Sequence, residues 1–579
     1  MFLLEMTSTN YRNVSCETVK FSQPCTFLVG ENSLGKTNLL YLLRTIFTRR
    51  SFDESDFHDA NVSILVTIKL KLLPEEIGFF SDIADPDDAT SVTVEASAED
   101  AESDILYLHK PTGEQIPASM IRQIFFSLFE TLNANSRELN YDQKHGVGRV
   151  LSRGLGMYQQ KNGLSVLDFF DQANLDGLVA YLNSLVSKIN LLTPYGIHAG
   201  IDDREPEILG SIVTLTDAND LHFRRSSSGV QYIALAIMQI LDSMMRISSS
   251  KMEKCTFTNP RGERVFSAIL AFDEPEAHLH PYMQRTLTKY LCSIASGKEN
   301  GFNELLKEYF DIDKINAQII IVTHSPSIIS PDYSSIVRFG QRKIGTVSIS
   351  CGADLALGLA CRKQIIAQFD SIKEAFFSRG ALVVEGVTES TAVRGFALSQ
   401  GIDLDSLGLI IVTADGKETV PTICELLEQF DIPVCSITDK DTGPSVTSGN
   451  FVTTREIDLE AELIESLFAS NNQATFIALL ENYEPQGRSY TLQDSQLKKK
   501  AKTYDHALFN SHTFTNMDFS GIEFDGAFPD NNLTRLMMYT WLSSKKGAIL
   551  GTMIGSEIPP SAVPQCYIDV INTLMGMAL

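Results

Sequence analysis

The sequence predicts two α/β units in tandem, each built around a parallel sheet. Three observations carry that reading. A glycine-rich loop, Gly30-Glu31-Asn32-Ser33-Leu34-Gly35-Lys36-Thr37, separates an apolar run from an amphipathic segment. The short runs Ile269–Phe272 and Ile319–Val322 have the composition of strands buried on both faces. From Gly380 onward a second series, Ala381–Val384, Leu409–Val412 and Val434–Thr438, repeats that pattern with helical segments between. A chain of 579 residues exceeds what one core organises. The expected boundary lies between residues 1–375 and 376–579.

In order, residues 1–6 and 14–29 read as strands around the turn Asn10-Tyr11-Arg12-Asn13, and Cys25–Val29 reads as buried. Asn38–Thr48 is expected as a helix, with Leu39, Leu40, Leu42, Leu43, Ile46 and Phe47 on one broad face. Ser63–Leu73 alternates like a strand, and Val92–Glu95 and Ile105–Leu108 add two more before the turn Pro111-Thr112-Gly113. Residues from about 115 to 200 are expected as a helical insertion, a candidate dimerisation arm. Phe125, Phe126, Leu128 and Phe129, then Leu178, Leu182 and Leu185, fall at helical spacing. A hairpin is expected around Asn259-Pro260-Arg261-Gly262, and a C-terminal helical extension follows the second sheet.

The net charge of −24 argues against a protein that coats DNA, since phosphate contacts favour Lys and Arg. Local basic runs remain: Arg49-Arg50, Lys498–Lys500 with Lys502, and Lys545-Lys546. Each taken singly reads as solvated surface. The nine Cys show no zinc spacing, which fits reduced thiols. Met1–Glu5 lacks the basic and apolar regions of a signal peptide, and no apolar run matches a bilayer span. A cytoplasmic protein without a membrane partner is expected.

The loop Gly30–Thr37 fits G-x-x-x-x-G-K-[ST], in the strand–loop–helix context that pattern requires. Its glycines let backbone N–H groups curl around phosphates, Lys36 reaches the β and γ phosphates, and the Thr37 hydroxyl serves magnesium. Asn32 within the loop and Asn38 after it complete the expected contacts. The strand Ile269–Phe272 ends in Asp273-Glu274, which supplies a magnesium-associated carboxylate and a base for water. His324 closes the next buried strand, where it can sense the γ phosphate. Ser228, Gly229 and Gln231 lie in a Ser-Gly turn that opens a helix, a place suited to phosphate.

These four pieces in this order resemble the ATP-binding-cassette superfamily, and more narrowly the ATPase heads of chromosome-maintenance and recombination-repair proteins. The resemblance implies ATP as cofactor and makes Ser228-Gly229-Val230-Gln231 the signature motif, acting on the ATP of a partner copy. At least a homodimer follows. It also implies an interface role for His278 and His280. The superfamily's glutamine-bearing loop has no evident counterpart.

A separate carboxylate set lies in the last third. Leu382–Val384 ends in Glu385-Gly386, and Glu389 follows one helical turn on. The strand Ser436–Thr438 ends in Asp439-Lys440-Asp441. Two strand ends of a parallel sheet can gather these acids, which repel one another unless cations hold them. Mg2+ (or Mn2+) suits such oxygen ligands and can assist displacement at a phosphodiester.

The arrangement resembles the topoisomerase–primase (Toprim) domain. That resemblance implies an acid/base or metal role for Glu385, with Asp439 and Asp441 as ligands. Asp458 and Glu460 are further ligand candidates. A cassette-type head fused to a Toprim (Rossmann-like) domain is similar to the overcoming-lysogenisation-defect (OLD) nuclease family, whose relatives include the Gabija-type defence nuclease. Lys545 and Lys546 resemble that family's late lysine segment, so one of them is expected to neutralise the scissile phosphate. The implied function is an ATP-regulated DNA endonuclease in anti-phage defence, with homo-oligomers and an accessory protein such as a helicase as implied partners. The competing reading is an ATP-driven DNA-binding or repair scaffold whose Toprim domain does not cut.

Overall fold

A computed structural model describes residues 1–81, 83–130, 146–164, 172–201, 213–216, 228–277, 279–343, 346–441, 443, 447–483, 494–504, 514 and 531–578. The chain divides into two units, Met1–Leu355 and Ala356–Leu579. The division and the expected boundary differ by the helix Leu359–Ile372, which belongs to the second unit.

The first unit holds two large sheets. One is antiparallel, ordered β2 (Val14–Lys20), β1 (Phe2–Tyr11), β4 (Ile64–Lys71), β5 (Ser91–Ala98), β6 (Leu106–His109). The other contains β3 (Cys25–Gly30), β7 (Phe126–Glu130), β10 (Thr256–Thr258), β11 (Arg264–Asp273), β12 (Lys314–Val322), β13 (Ile336–Lys343) and β14 (Thr346–Cys351). Within it β7, β11, β12, β3 and β13 run parallel. Three of these strands, β3, β11 and β12, have nearly every residue buried, as their apolar sequences require. The helix Lys36–Thr48 packs Leu39, Leu40, Leu43 and Phe47 into the core shared by both sheets. Gln318 of β12 exchanges two hydrogen bonds of 2.8 Å with the backbone of Leu3, which satisfies a buried amide and ties the sheets together.

The expected hairpin is present as β10 and β11. Beyond β7 come the helices Gly146–Asn162 and Gln172–Val186 and a small antiparallel pair, β8 (His198–Ile201) with β9 (Val213–Thr216). One expectation is corrected. Phe126–Glu130 is a strand of the main sheet, not part of a helical insertion. Its aromatic side chains serve the sheet, as in the stacking of Phe129 on Phe272 at 4.7 Å between ring centres.

The second unit has one sheet ordered β16 (Leu409–Thr413), β15 (Gly380–Val384), β17 (Val434–Thr438), β19 (Phe451–Thr453), β18 (Thr447–Ser448). It is parallel except for the β18–β19 pair. The helix Val387–Ser399 follows β15 and packs against the helix Ala548–Glu557. Contacts rise in step along both: Thr388 with Gly547, Thr391 with Ala548, and Gly395 with Gly555. The two helices are therefore parallel, with their N-termini side by side. Among the described residues no helix is long and apolar enough to cross a membrane.

Candidate functional sites

The glycine loop joins β3 to the helix Lys36–Thr48. Gly30 and Gly35 have φ of 121° and 98°, open to glycine but strained for other residues. A Cβ on Gly30 would lie 2.0 Å from the Phe339 carbonyl oxygen, so the loop requires glycine there for packing as well. Lys36 is buried and donates to the carbonyls of Gly30, at 2.8 Å, and Glu31. Burial lowers its pKa to about 8, against the pull of Glu274 and Asp273. Asn32 is exposed at the loop tip. Asn38 donates to Asn13 at 2.7 Å and accepts from Arg12 at 2.8 Å.

Thr37 donates to Asp273 Oδ1 at 3.1 Å, and burial pushes Asp273 up to about 6. The register of β11, β12 and β3 brings these groups together, because Asp273 is level with Val322, and Val322 with Leu28. His324 Nε2 lies 3.3 Å from Glu274 Oε1. Burial, and then Lys36, lowers the pKa of His324. Buried Glu276 accepts from the Thr323 hydroxyl at 2.6 Å and the His324 amide at 2.8 Å, so it fixes the end of β12. The loop, the cationic Lys36 and the Thr37–Asp273 pair suit a nucleoside triphosphate with its metal.

The helix opened by Ser228 spans Ser228–Met245. Gly229 lies in its first turn; the side chains of Ser228 and Gln231 lie outside the described residues, as does His278. His280 occupies the N-cap position of the helix Pro281–Ala295, without a side-chain capping hydrogen bond, and stacks on Tyr282.

Sequence reasoning missed Glu130. It ends β7 in register with Asp273, so both carboxylates share one face of the parallel sheet. Glu130 accepts from Arg44 at 3.3 Å and adds to the rise in the pKa of Asp273. No motif marks it. Only the strand assignment of Phe126–Glu130 would have found it.

In the second unit the acids of separate strand ends meet. The Asp439 amide donates to Glu385 Oε2 at 3.3 Å. Glu389 is buried on the first turn of its helix, with Oε2 2.9 Å from the site a Cβ on Gly386 would take. Asp439 Oδ1 accepts from the Leu459 amide at 3.2 Å. Asp458 caps the helix Leu459–Ala469 through the Ala461 amide at 3.0 Å and accepts from the Tyr539 hydroxyl at 3.0 Å. Asp441 is exposed, with φ of 57°, and pairs with Lys417 at 2.7 Å. Lys417 also donates to the Asp439 carbonyl. Lys417 is a second residue that no motif marked.

The two late lysines diverge. Lys546 pairs with Glu460 Oε2 at 2.7 Å and lies 3.7 Å from Asp458 Oδ2. Lys545 instead lies over the Tyr483 ring, 5.4 Å from its centre. Burial, and then Glu389, pushes Asp439 up to about 9. Burial likewise raises Glu385 and Glu460. For Lys546 burial acts downward, but Glu460 and Asp458 outweigh it and raise the pKa.

These are carboxylates in search of positive charge. Glu460 Oε1 is buried and meets no hydrogen-bond donor among the described residues. The all-oxygen donor set suits a hard divalent cation. Among the described residues, however, no three His, Cys, Asp or Glu are already gathered around one point that would hold a metal. Ligation therefore requires the acids to turn toward one another, and Asp441 and Glu460 to turn from Lys417 and Lys546.

Comparison with known proteins agrees with this division. The family described as "AAA ATPase domain" matches residues 1–147 and 159–329, more than half of the chain. The family described as "Overcoming lysogenization defect protein-like, TOPRIM domain" matches residues 376–441. The chain is 26% identical over 189 residues to the OLD nuclease of Thermus scotoductus, covering 32% of each protein. It is 23% identical over 189 residues to Endonuclease GajA of Bacillus cereus, covering 30% of this chain and 26% of that protein. The chain thus spans about a third or less of the length of these two relatives. It is 21% identical over 494 residues to the Old nuclease of Escherichia phage P2, covering 76% of this chain and 77% of that protein.

Proposed function

Because the chain belongs to the AAA ATPase domain family and carries an OLD-like Toprim domain, we propose that it is an ATP-regulated, divalent-metal-dependent DNA endonuclease. The observation that carries this reading is the convergence of Glu385, Asp439, Asp458 and Glu460 with Lys546 beside one edge of the second sheet. Glu385 and Asp439, with Glu389, Asp441, Asp458 and Glu460 as further ligands, would hold Mg2+ or Mn2+. The cation supplies Lewis-acid polarisation of a phosphodiester.

The protein's own groups do the rest. The Leu459 amide fixes Asp439, and the Tyr539 hydroxyl fixes Asp458. Lys546, held protonated by its acidic neighbours, neutralises charge on the scissile phosphate. In the first unit Lys36, Thr37 and Asp273 bind ATP with its magnesium, and Glu274 receives a proton from the attacking water. Ser228, Gly229 and Gln231 act on the nucleotide of a second copy, which makes the working form at least a homodimer. Resemblance to Gabija-type nucleases supports anti-phage defence as the setting, and the cytoplasm is the proposed compartment.

Supercoiled plasmid incubated with magnesium or manganese, with and without ATP, tests the reading. Nicked or linear product that disappears in Glu385→Ala supports it. A different rate with ATP, of either sign, supports regulation, and equal rates remove that part. Binding without nicking under every condition favours the scaffold reading instead.

A further inference from the structure

The run Lys498–Lys500 has a structural distinction that its sequence hides. On the helix Asp494–Tyr504, Lys498 and Lys499 are exposed, while Lys500 is partly buried. Its ammonium lies 5.4 Å from the centre of the Tyr539 ring. The hydroxyl of that same tyrosine donates to Asp458, which stands 3.7 Å from Lys546. Lys500 therefore stands one aromatic ring away from the acidic cluster.

Other lysines near these acids are committed. Lys546 pairs with Glu460, Lys417 with Asp441, and Lys440 donates to the Arg455 carbonyl at 2.9 Å. Lys500 makes no ion pair among the described residues and lies over the tyrosine ring. Burial, and then the charge of Lys546, lowers its pKa, so keeping this cation in place costs free energy. A ring face fixes an ammonium without neutralising it. The arrangement leaves a positioned positive charge available to an anion beside the proposed cutting site.

We infer that Lys500 contacts a DNA backbone phosphate next to the scissile one, setting the strand's position over the carboxylates. The inference rests on the nuclease reading and adds a specific substrate contact to it. A purely structural alternative exists: Lys500 packs on Tyr539 and so steadies Asp458. The two differ in salt dependence, because a lysine released from one phosphate contact changes counterion release by about 0.9 in the slope of log affinity against log salt.

The experiment measures binding of a short DNA duplex between about 50 and 200 mM salt. It uses full-length protein with magnesium in a Glu385→Ala background, so that the DNA stays whole. Lys500→Met, which keeps the aliphatic stem, is expected to reduce the slope by about 0.9. Lys499→Met, one residue away and exposed, is expected to leave it unchanged. Full-length protein with native Glu385 is expected to show a higher KM for plasmid in Lys500→Met, with kcat little changed. An unchanged slope in folded Lys500→Met overturns the inference, as does an equal loss in Lys499→Met, which would mean a diffuse basic surface. Failure of the parent protein to nick plasmid at all removes the nuclease reading itself, and the inference with it.

Discussion

The amide of Asp439 donates to Glu385 Oε2 across 3.3 Å, joining two strand ends 54 residues apart in the chain. Pairing of β15 with β17, with Val384 level with Ile437, brings them together. One edge of a parallel sheet thus collects acids that sequence distance keeps apart. The cost is burial of charge and, after it, repulsion from neighbouring acids such as Glu389, which together raise the pKa of both carboxyls. Cations offset that cost, and two lysines supply part of the charge.

Lys546→Ala should abolish plasmid nicking, while Lys545→Ala should leave it within a few-fold of the parent. Lys546 pairs with Glu460 of the acidic cluster, whereas Lys545 lies over the Tyr483 ring. Lys546→Ala should also destabilise the second unit, because Glu460 loses its counter-charge inside the protein. Lys546 is itself 42% exposed, so the loss should fall below the roughly 3–5 kcal/mol of a fully buried pair. Thermal unfolding with and without magnesium checks this, with magnesium restoring part of the loss. Equal nicking defects in the two variants would refute the assignment.

Binding of magnesium-ATP should be strongest between about pH 6 and pH 8. Phosphate favours protonated Lys36, whose pKa in the free protein is about 8. As pH rises past that value, binding must take up a proton and affinity falls, approaching tenfold per pH unit. Magnesium favours ionised Asp273, whose pKa is about 6. As pH falls below that value, binding must release a proton and affinity falls again. Dissociation constants for a fluorescent ATP analogue from pH 5 to 9.5 test this. Asp273→Asn should remove the acid arm alone, and a flat profile in the parent would contradict the account.

Legibility in the sequence followed the locality of the physics. The glycine loop was legible because backbone conformation at Gly30 and Gly35 is a local demand. Glu385 and Asp439 were legible because each ends an apolar strand, and such ends share an edge in a parallel sheet. Phe126–Glu130 was misread because a strand buried in a sheet need not alternate, and its phenylalanines fit a helical period equally well. Glu130 stayed hidden with it. Lys417 and Tyr539 reach the acidic cluster from other elements, and neither carries a local signature.

Glu276→Ala should lower both stability and ATP hydrolysis. Its carboxylate accepts from the Thr323 hydroxyl and the His324 amide in a buried setting. Removing it leaves those donors unsatisfied, at a cost of about 1–3 kcal/mol. His324 then loses its fixed place beside Glu274. Glu276→Gln keeps a carbonyl acceptor and resembles the protonated form that burial favours, so it should be much milder. Unfolding and steady-state phosphate release on both variants decide the matter. Equal defects would show that the negative charge, not the acceptor, is what β12 requires.

Gly395→Ala should stop plasmid nicking and spare ATP hydrolysis. A Cβ on Gly395 would lie 2.3 Å from the Cα and carbonyl of Gly555, which are backbone atoms with no rotamer to yield. The helices Val387–Ser399 and Ala548–Glu557 must then separate, at about 1–3 kcal/mol for overpacking of this kind. Their contact also sets Gly547 against Thr388, one residue from Lys546 and one from Glu389. Separation therefore displaces the lysine from the acids even if the unit stays folded. Gly576→Ala provides the control, since a Cβ there meets nothing within 4 Å. Nicking, phosphate release and thermal unfolding measured on the same preparations isolate the effect. Full nicking in folded Gly395→Ala would mean that this helix contact does not position the cutting site.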